Sequence, residues 1–367
     1  MALHLLLNFQ CFLVLLCLQL ASTTELPISK PGCQNKCGNV SIPYPFGIGE
    51  SCSIGGWFNL TCDDTLLDNI RPLYGSLNVS NISIFGSEMT LGLGIVTNCS
   101  DKSIQVNNHW IGARLSDNFS FSSTKNKFIA IGCDTLAYIV GKGDQDSSVG
   151  TGCMSYCNKR EDTTDGTCNG VGCCEASIPS GLVSYDTILG SMYSPRRNLT
   201  FNPCSYAFLA EKSSFNFSSS YLKNFGDNGA LTVPIVVDWT IGRQTCEEAQ
   251  KSLTNYACGP NTECISAGRD VEGYRCSCRT GYEGNPYLNM STYGHCQDID
   301  ECTTNLNICG KGPGNICKNV EGSYNCSCDQ GYSLDVRNNI TDCILEIQSN
   351  LPKSQSTQNN SLNKIVL

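Results

Sequence analysis

Two short segments near the C-terminal end hold oxygen ligands in a pattern suited to a hard cation. Asp298-Ile299-Asp300-Glu301-Cys302 sets carboxylates on either side of a backbone carbonyl, and Cys317-Lys318-Asn319, followed by Ser323-Tyr324, adds a carboxamide oxygen. Ca²⁺ takes six to eight hard oxygens, and this array supplies several of them. The plainer alternative is a solvated acidic linker. Asn319 argues against it, because it lies in a separate segment at a fixed offset from Cys317. Catalytic chemistry finds no comparable set. After the leader only His109 and His295 remain, and neither sits in a nucleophile elbow, a metalloprotease motif or a carboxylate pair, so an enzyme is not expected. Cys33-x₃-Cys37 and Cys153-x₃-Cys157 have the look of zinc ligands but lack histidine partners, and they read as disulfide cysteines. Adjacent Cys173 and Cys174 would be strained if bonded to each other, so each is expected to staple a different segment.

The elements that must position these residues belong to an oxidising compartment. Leu3 to Leu20 is an apolar run followed by small residues, which reads as a signal peptide over residues 1–23. Cys11 and Cys17 fall inside it, leaving an even set of the 26 cysteines to pair, as secreted disulfide-rich domains require. N-x-[ST] sequons at Asn39, Asn59, Asn78, Asn81, Asn98, Asn118, Asn198, Asn216, Asn289, Asn325, Asn339 and Asn359 predict N-glycosylation on solvent-facing loops. The net charge of −9 is uneven: residues 246–346 carry 7 basic against 14 acidic side chains. No basic stripe exists for nucleic acid. No later apolar run approaches the ~20 residues of a membrane span.

Cysteine spacing divides the mature chain into parts. Residues 26–140 and 150–245 hold six cysteines each among alternating segments such as Asn81-Ile82-Ser83-Ile84-Phe85 and Lys127-Phe128-Ile129-Ala130-Ile131, which read as strands. Val233 to Trp239 is a further strand, with Pro234 placing it at an edge or bulge. Gly141 to Gly150 is either a long loop or a boundary. Residues 246–296 and 298–343 repeat one six-cysteine order ending C-x-C and C, and residues 344–367 read as a disordered tail. The fold expected is mainly β, disulfide-rich and modular: a β-rich, cysteine-stapled N-terminal part followed by two tandem modules.

Those modules resemble EGF-like domains, and the second, with its acidic lead-in, resembles the calcium-binding kind. Ile241 to Thr245, which precedes Cys246, is not acidic, so strong calcium binding is not expected in the first. The resemblance implies the pairings Cys246–Cys264, Cys258–Cys276, Cys278–Cys296, Cys302–Cys317, Cys309–Cys326 and Cys328–Cys343. It also implies a Ca²⁺ site of Asp298, Glu301 and Asn319 side chains with Ile299, Val320 and Ser323 carbonyls, holding the joint at Gln297–Glu301 rigid. Asn319 is, in the same pattern, a β-hydroxylation target.

Over nearly the whole mature chain the sequence resembles the ectodomain of plant wall-associated receptor kinases. The motifs are Cys37-Gly38-Asn39-Val40-Ser41-Ile42-Pro43-Tyr44-Pro45-Phe46-Gly47, Asn126-Lys127-Phe128, Gly172-Cys173-Cys174, Asn202-Pro203-Cys204-Ser205-Tyr206-Ala207-Phe208 and Gly281-Tyr282-Glu283-Gly284-Asn285-Pro286-Tyr287. The resemblance makes 26–140 a galacturonan-binding domain and 150–245 a cysteine-rich C-terminal wall-associated-kinase domain. It implies an extracellular, cell-wall location and pectin as ligand. Recognising repeated carboxylates and sugar rings calls for cations and aromatic faces. The candidates are Arg71, Arg114, Lys125 and Lys127 with Tyr44, Trp57 and Trp110. The family's membrane span and kinase, with its Gly-rich and H-R-D loops, are not seen in this sequence. A second reading makes the EGF-like pair a docking module for secreted or receptor proteins.

Overall fold

The computed structural model describes residues 28–65, 70–99, 112–143, 147–193, 197–225, 232–252, 256–267, 272–304, 306, 309–337 and 340–345. The leader, Trp110, Asn339, Asn359 and the tail beyond residue 345 lie outside them. Strands dominate, and they fall into two compact units, one ending at Gln297 and the other beginning at Asp298.

The first unit is built on period-two alternation. In Glu88–Gly94, Met89, Leu91 and Leu93 are buried while the residues between them are not, the pattern of a strand with one face in the core. A seven-stranded sheet runs Phe119–Phe121, Thr232–Trp239, Glu88–Gly94, Leu77–Ser83, Arg71–Tyr74, Asn59–Asp63, Gly47–Ile48. One four-stranded sheet runs Cys173–Ser177, Asn126–Ile131, Cys204–Glu211, Val96–Cys99, and another Ser148–Tyr156, Asp134–Lys142, Ser184–Gly190, Gly112–Arg114. Pro234 sits opposite Gly92 on one side only, since Phe119–Phe121 reaches no further than Val237. That open edge is where a residue without an N–H is tolerated.

These sheets correct the division drawn from cysteine spacing. Each combines strands from before residue 140 with strands from after residue 150, so no boundary of the fold lies there. The strands on either side of residues 144–146 are hairpin partners: Asp134–Lys142 pairs with Ser148–Tyr156 throughout, and Gly143 N–H donates to the Ser147 carbonyl at 2.9 Å. The two sets of six cysteines are not self-contained either, because Cys99–Cys204 and Cys133–Cys157 cross between them. Cys33–Cys52, Cys37–Cys62, Cys153–Cys174 and Cys168–Cys173 complete this part, so Cys173 and Cys174 staple different segments.

Rings of Phe46, Phe58, Phe119 and Trp239 fill the core beside the large sheet, with neighbouring centroids 5.0–6.2 Å apart. Buried asparagines tie the layers together. Asn126 exchanges hydrogen bonds with Val236 (2.6 and 2.8 Å), and Asn202 accepts from Cys133 N–H at 2.7 Å while donating to the Cys204 and Leu222 carbonyls.

The first EGF-like module joins this unit. Its helix Cys246–Gln250 is capped by Thr245, whose side chain accepts from Glu248 N–H, with the Glu248 carboxylate returning to Thr245 N–H at 2.9 Å. Asn285 donates to the carbonyls of Ile28 and Tyr44 at 2.7 and 2.6 Å, and Tyr287 packs 5.7 Å from Trp239. Burial pushes the Tyr287 phenol up to about 12. Its disulfides are Cys246–Cys264, Cys258–Cys276 and Cys278–Cys296.

The second unit is a pair of hairpins, Asn315–Val320 with Ser323–Cys328 and Tyr332–Arg337 with Ile340–Leu345, closed by Cys302–Cys317, Cys309–Cys326 and Cys328–Cys343. Its last strand continues through Leu345, two residues into the segment expected to be tail. Among the described residues no helix is long and apolar enough to cross a membrane.

Candidate calcium site and polysaccharide surface

In the second unit the three acids at its start have different environments. Asp300 is committed to its own turn: Oδ1 accepts from the N–H groups of Cys302 and Thr303, both at 3.1 Å. Asp298 reaches instead to the hairpin of Asn315–Val320 and Ser323–Cys328. Its Oδ2 accepts from Asn319 Nδ2 at 2.7 Å, and its Oδ1 from Gly322 N–H in the turn. Glu301 is buried. Val320 and Ser323 are register partners flanking that turn, and the Ile299 carbonyl accepts from Glu301 N–H at 3.0 Å.

Asn319 Oδ1 decides whether a cation fits. It is shielded from solvent and has no hydrogen-bond partner, a state that costs about 1–3 kcal/mol for a neutral acceptor. A hard cation is the partner such an oxygen lacks, and the nitrogen of the same amide is bonded to the Asp298 carboxylate. Asp298 and Asn319 therefore fit Ca²⁺, with Glu301 and the carbonyls of Ile299, Val320 and Ser323 in the same module. Among the described residues no group of three or more His, Cys, Asp or Glu side chains forms a metal cluster. The site, if loaded, adds amide and backbone oxygens to at most two carboxylates.

The candidate cations are spread over three sheets. Arg71, on the large sheet, lies 3.9 Å from Asp63. Lys125 pairs with Glu88 at 2.6 Å, which raises its pKa, and Lys127 pairs with Glu175 at 2.8 Å, its ammonium 5.8 Å from the Phe215 ring centre. Lys127 and Glu175 also line a shallow pocket of about 280 Å³ with Lys212. Arg114 is exposed on the short strand Gly112–Arg114. Tyr44 is half-buried against the core, and Trp57 is exposed beside Tyr74, with ring centres 6.1 Å apart. These residues do not converge on one cleft. Of the described sequons, Asn39, Asn59, Asn81, Asn198, Asn216, Asn289 and Asn325 are exposed and Asn78, Asn98 and Asn118 half-buried. Sequence reasoning gave no role to Asn285 and Tyr287, which anchor the first EGF-like module. The motif was visible, but the carbonyls that Asn285 binds lie more than 200 residues away.

Comparison with known proteins matches residues 33–92 to the wall-associated receptor kinase galacturonan-binding family and residues 298–343 to the calcium-binding EGF domain. Neither is a kinase domain. Among Arabidopsis thaliana proteins the chain is similar to wall-associated receptor kinase 2, 34% identical over 312 residues, 84% of this chain and 40% of the relative. It is similar to wall-associated receptor kinase 5, 38% identical over 326 residues, 85% of this chain and 40% of the relative. With wall-associated receptor kinase-like 6 it shares 29% identity over 322 residues, 80% of this chain and 48% of the relative. It spans under half the length of each of these relatives. Over most of its length the chain is thus similar to the N-terminal, non-kinase part of wall-associated receptor kinases, with a galacturonan-binding match at residues 33–92 and a calcium-binding EGF match at residues 298–343.

Proposed function

We propose that this chain is an extracellular, cell-wall-associated glycoprotein that binds de-esterified pectin through its first unit and Ca²⁺ through its second. The observation that carries the pectin reading is the galacturonan-binding match over residues 33–92, inside the unit that holds all four candidate cations. Uronate carboxylates would exchange against existing partners at Arg71, Lys125 and Lys127, whose acids are Asp63, Glu88 and Glu175. Such partly exposed pairs near the surface are worth on the order of 1 kcal/mol each, so the exchange is close to neutral and salt-sensitive. For Ca²⁺ the support is the orphaned Asn319 oxygen together with the match over residues 298–343.

The test is binding of the glycosylated, disulfide-bonded chain to immobilised polygalacturonate and to its methyl ester at rising ionic strength. Retention on the acid form that falls with salt, over a Debye length of ~8 Å at physiological strength, is the expected result. Binding to neither form would sink the pectin reading and turn attention to protein ligands of the EGF-like modules.

A further inference from the structure

The sheet of Ser148–Tyr156, Asp134–Lys142, Ser184–Gly190 and Gly112–Arg114 turns one face to the core, through Ala137, Ile139, Tyr185 and Leu189. The opposite face of such an antiparallel sheet ordinarily carries polar side chains. Here it carries Leu136, Tyr138, Val140, Met154 and Tyr156, each between 37% and 61% exposed, with Ile188 half-buried beside them. The register gathers these into one field. Leu136 stands opposite Met154, Tyr138 between Gly152 and Ile188, and Val140 opposite Gly150. The glycines keep the relief low: a Cβ at Gly152 would lie 2.5 Å from that of Tyr138.

Charge is placed at the ends of this field. Arg114 stands at one end, in the row it shares with Ser184 and Lys142. At the other, the Arg197 guanidinium lies 5.1 Å from the Tyr156 ring centre and 5.8 Å from that of Tyr193. At ~3.4 Å per residue, the rows of Lys142 and Leu136 are about 20 Å apart. Among the described residues of the four strands, Asp186 is an exposed carboxylate on this face, opposite Val140 and Gly112. No sequon falls on the four strands.

We infer that this face is the platform on which the polysaccharide lies, the apolar field under the sugar rings and Arg114 and Arg197 toward uronate carboxylates at its ends. The inference rests on the pectin reading but replaces the scattered cations Arg71, Lys125 and Lys127 with one contiguous site in the same unit, outside residues 33–92. A flat, wide face with cations at both ends matches a chain of rings bearing carboxylates. An extended peptide would pair along a sheet edge rather than lie on a face. A second copy would find too little area: four strands of this length present roughly 500 Å², against ~800 Å² per partner in a standard protein interface.

Tyr138→Ala tests this, because the side chain is exposed and its loss leaves the core intact; an unchanged melting temperature verifies that. The probes are galacturonan oligomers of one length, de-esterified and methyl-esterified, titrated calorimetrically into the full glycosylated chain. Tyr138→Ala is expected to weaken binding of both probes roughly two- to tenfold, Tyr138→Phe to retain it, and Arg114→Gln to weaken the de-esterified probe alone. Wild-type affinity in Tyr138→Ala, with wild type itself binding, would place the ligand elsewhere and leave the pectin reading standing. Failure of the wild type to bind either probe would remove that reading and this inference together. A dimer in sedimentation that Tyr138→Ala dissolves would make a second copy the occupant and overturn the proposal.

Discussion

Asn126, Asn202 and Asn285 each spend their amide on buried backbone groups, whereas Asn319 leaves its oxygen without a donor. That contrast sets the residue-scale expectation for the second unit. Asn319→Ala should weaken Ca²⁺ binding on the order of tenfold or more, from a starting affinity near ~10⁻⁴–10⁻³ M for extracellular sites. In the calcium-free protein the same change removes both the 2.7 Å bond to Asp298 and the orphaned acceptor. Those losses oppose each other at ~1 kcal/mol apiece, so the calcium-free melting temperature should hardly move while the calcium-loaded one falls. Calorimetry at zero and millimolar Ca²⁺ separates the two; a lower calcium-free melting point would make Asn319 a structural residue. In the first unit, burial raises the pKa of Asp238 above its ordinary 3.8, against a hydrogen bond from Ser122 and with Glu88 adding repulsion. A carboxyl held up in the folded state favours folding when protonated, so its contribution is full below 3.8 and is lost as pH rises through the raised value. Asp238→Asn should therefore gain stability relative to wild type between pH 4 and pH 7, read as a melting-temperature difference that grows with pH.

At the scale of elements, Cys99–Cys204 is the longest closure, 105 residues, and it joins strands already in register. Chain entropy assigns it about 4–5 kcal/mol, against about 2 kcal/mol for a closure as short as Cys168–Cys173 with its separation of 5. Removing both cysteines of the long bridge should lower denaturant stability by about twice as much as removing the short one, and equal losses would show that the unfolded chain, not loop length, governs the effect. Individual strands were legible in the sequence because alternation and β-branching are local: Lys127–Ile131 and Val233–Trp239 lie within Asn126–Ile131 and Thr232–Trp239. Their neighbours were not legible. Nothing within a few residues of Val236 says that it will stand opposite Thr90, and the six-and-six count of cysteines conceals the two bridges that cross it. That Asp298 and Asn319 meet was readable for the opposite reason, since both belong to one small module with fixed spacing. An aromatic platform was harder to see, because Leu136, Tyr138 and Val140 alternate as any half-buried strand does, and only the fold shows that the apolar side faces out.

At the scale of the molecule, residues 26–140 lack partners for three sheets. Expressed alone, that segment should be unfolded or aggregated, while residues 28–297 should give one cooperative transition; dispersed NMR signals from the short fragment would contradict the interleaved topology. The strand Thr232–Trp239, wedged between Phe119–Phe121 and Glu88–Gly94, also sets a timetable for the living cell. Ribosomes extend a chain at ~5–20 residues per second, so Glu88–Gly94 waits roughly 7–29 seconds after its own synthesis for the neighbour that covers it. For most of that interval Cys99 is a thiol without its partner Cys204, and Trp239 has yet to reach the rings of Phe46 and Phe58. On the extracellular reading proposed above, nascent chains of this protein are long-lived clients of chaperones and oxidoreductases, and slowing oxidation should deplete the folded product well before it affects proteins whose cysteines pair close in sequence.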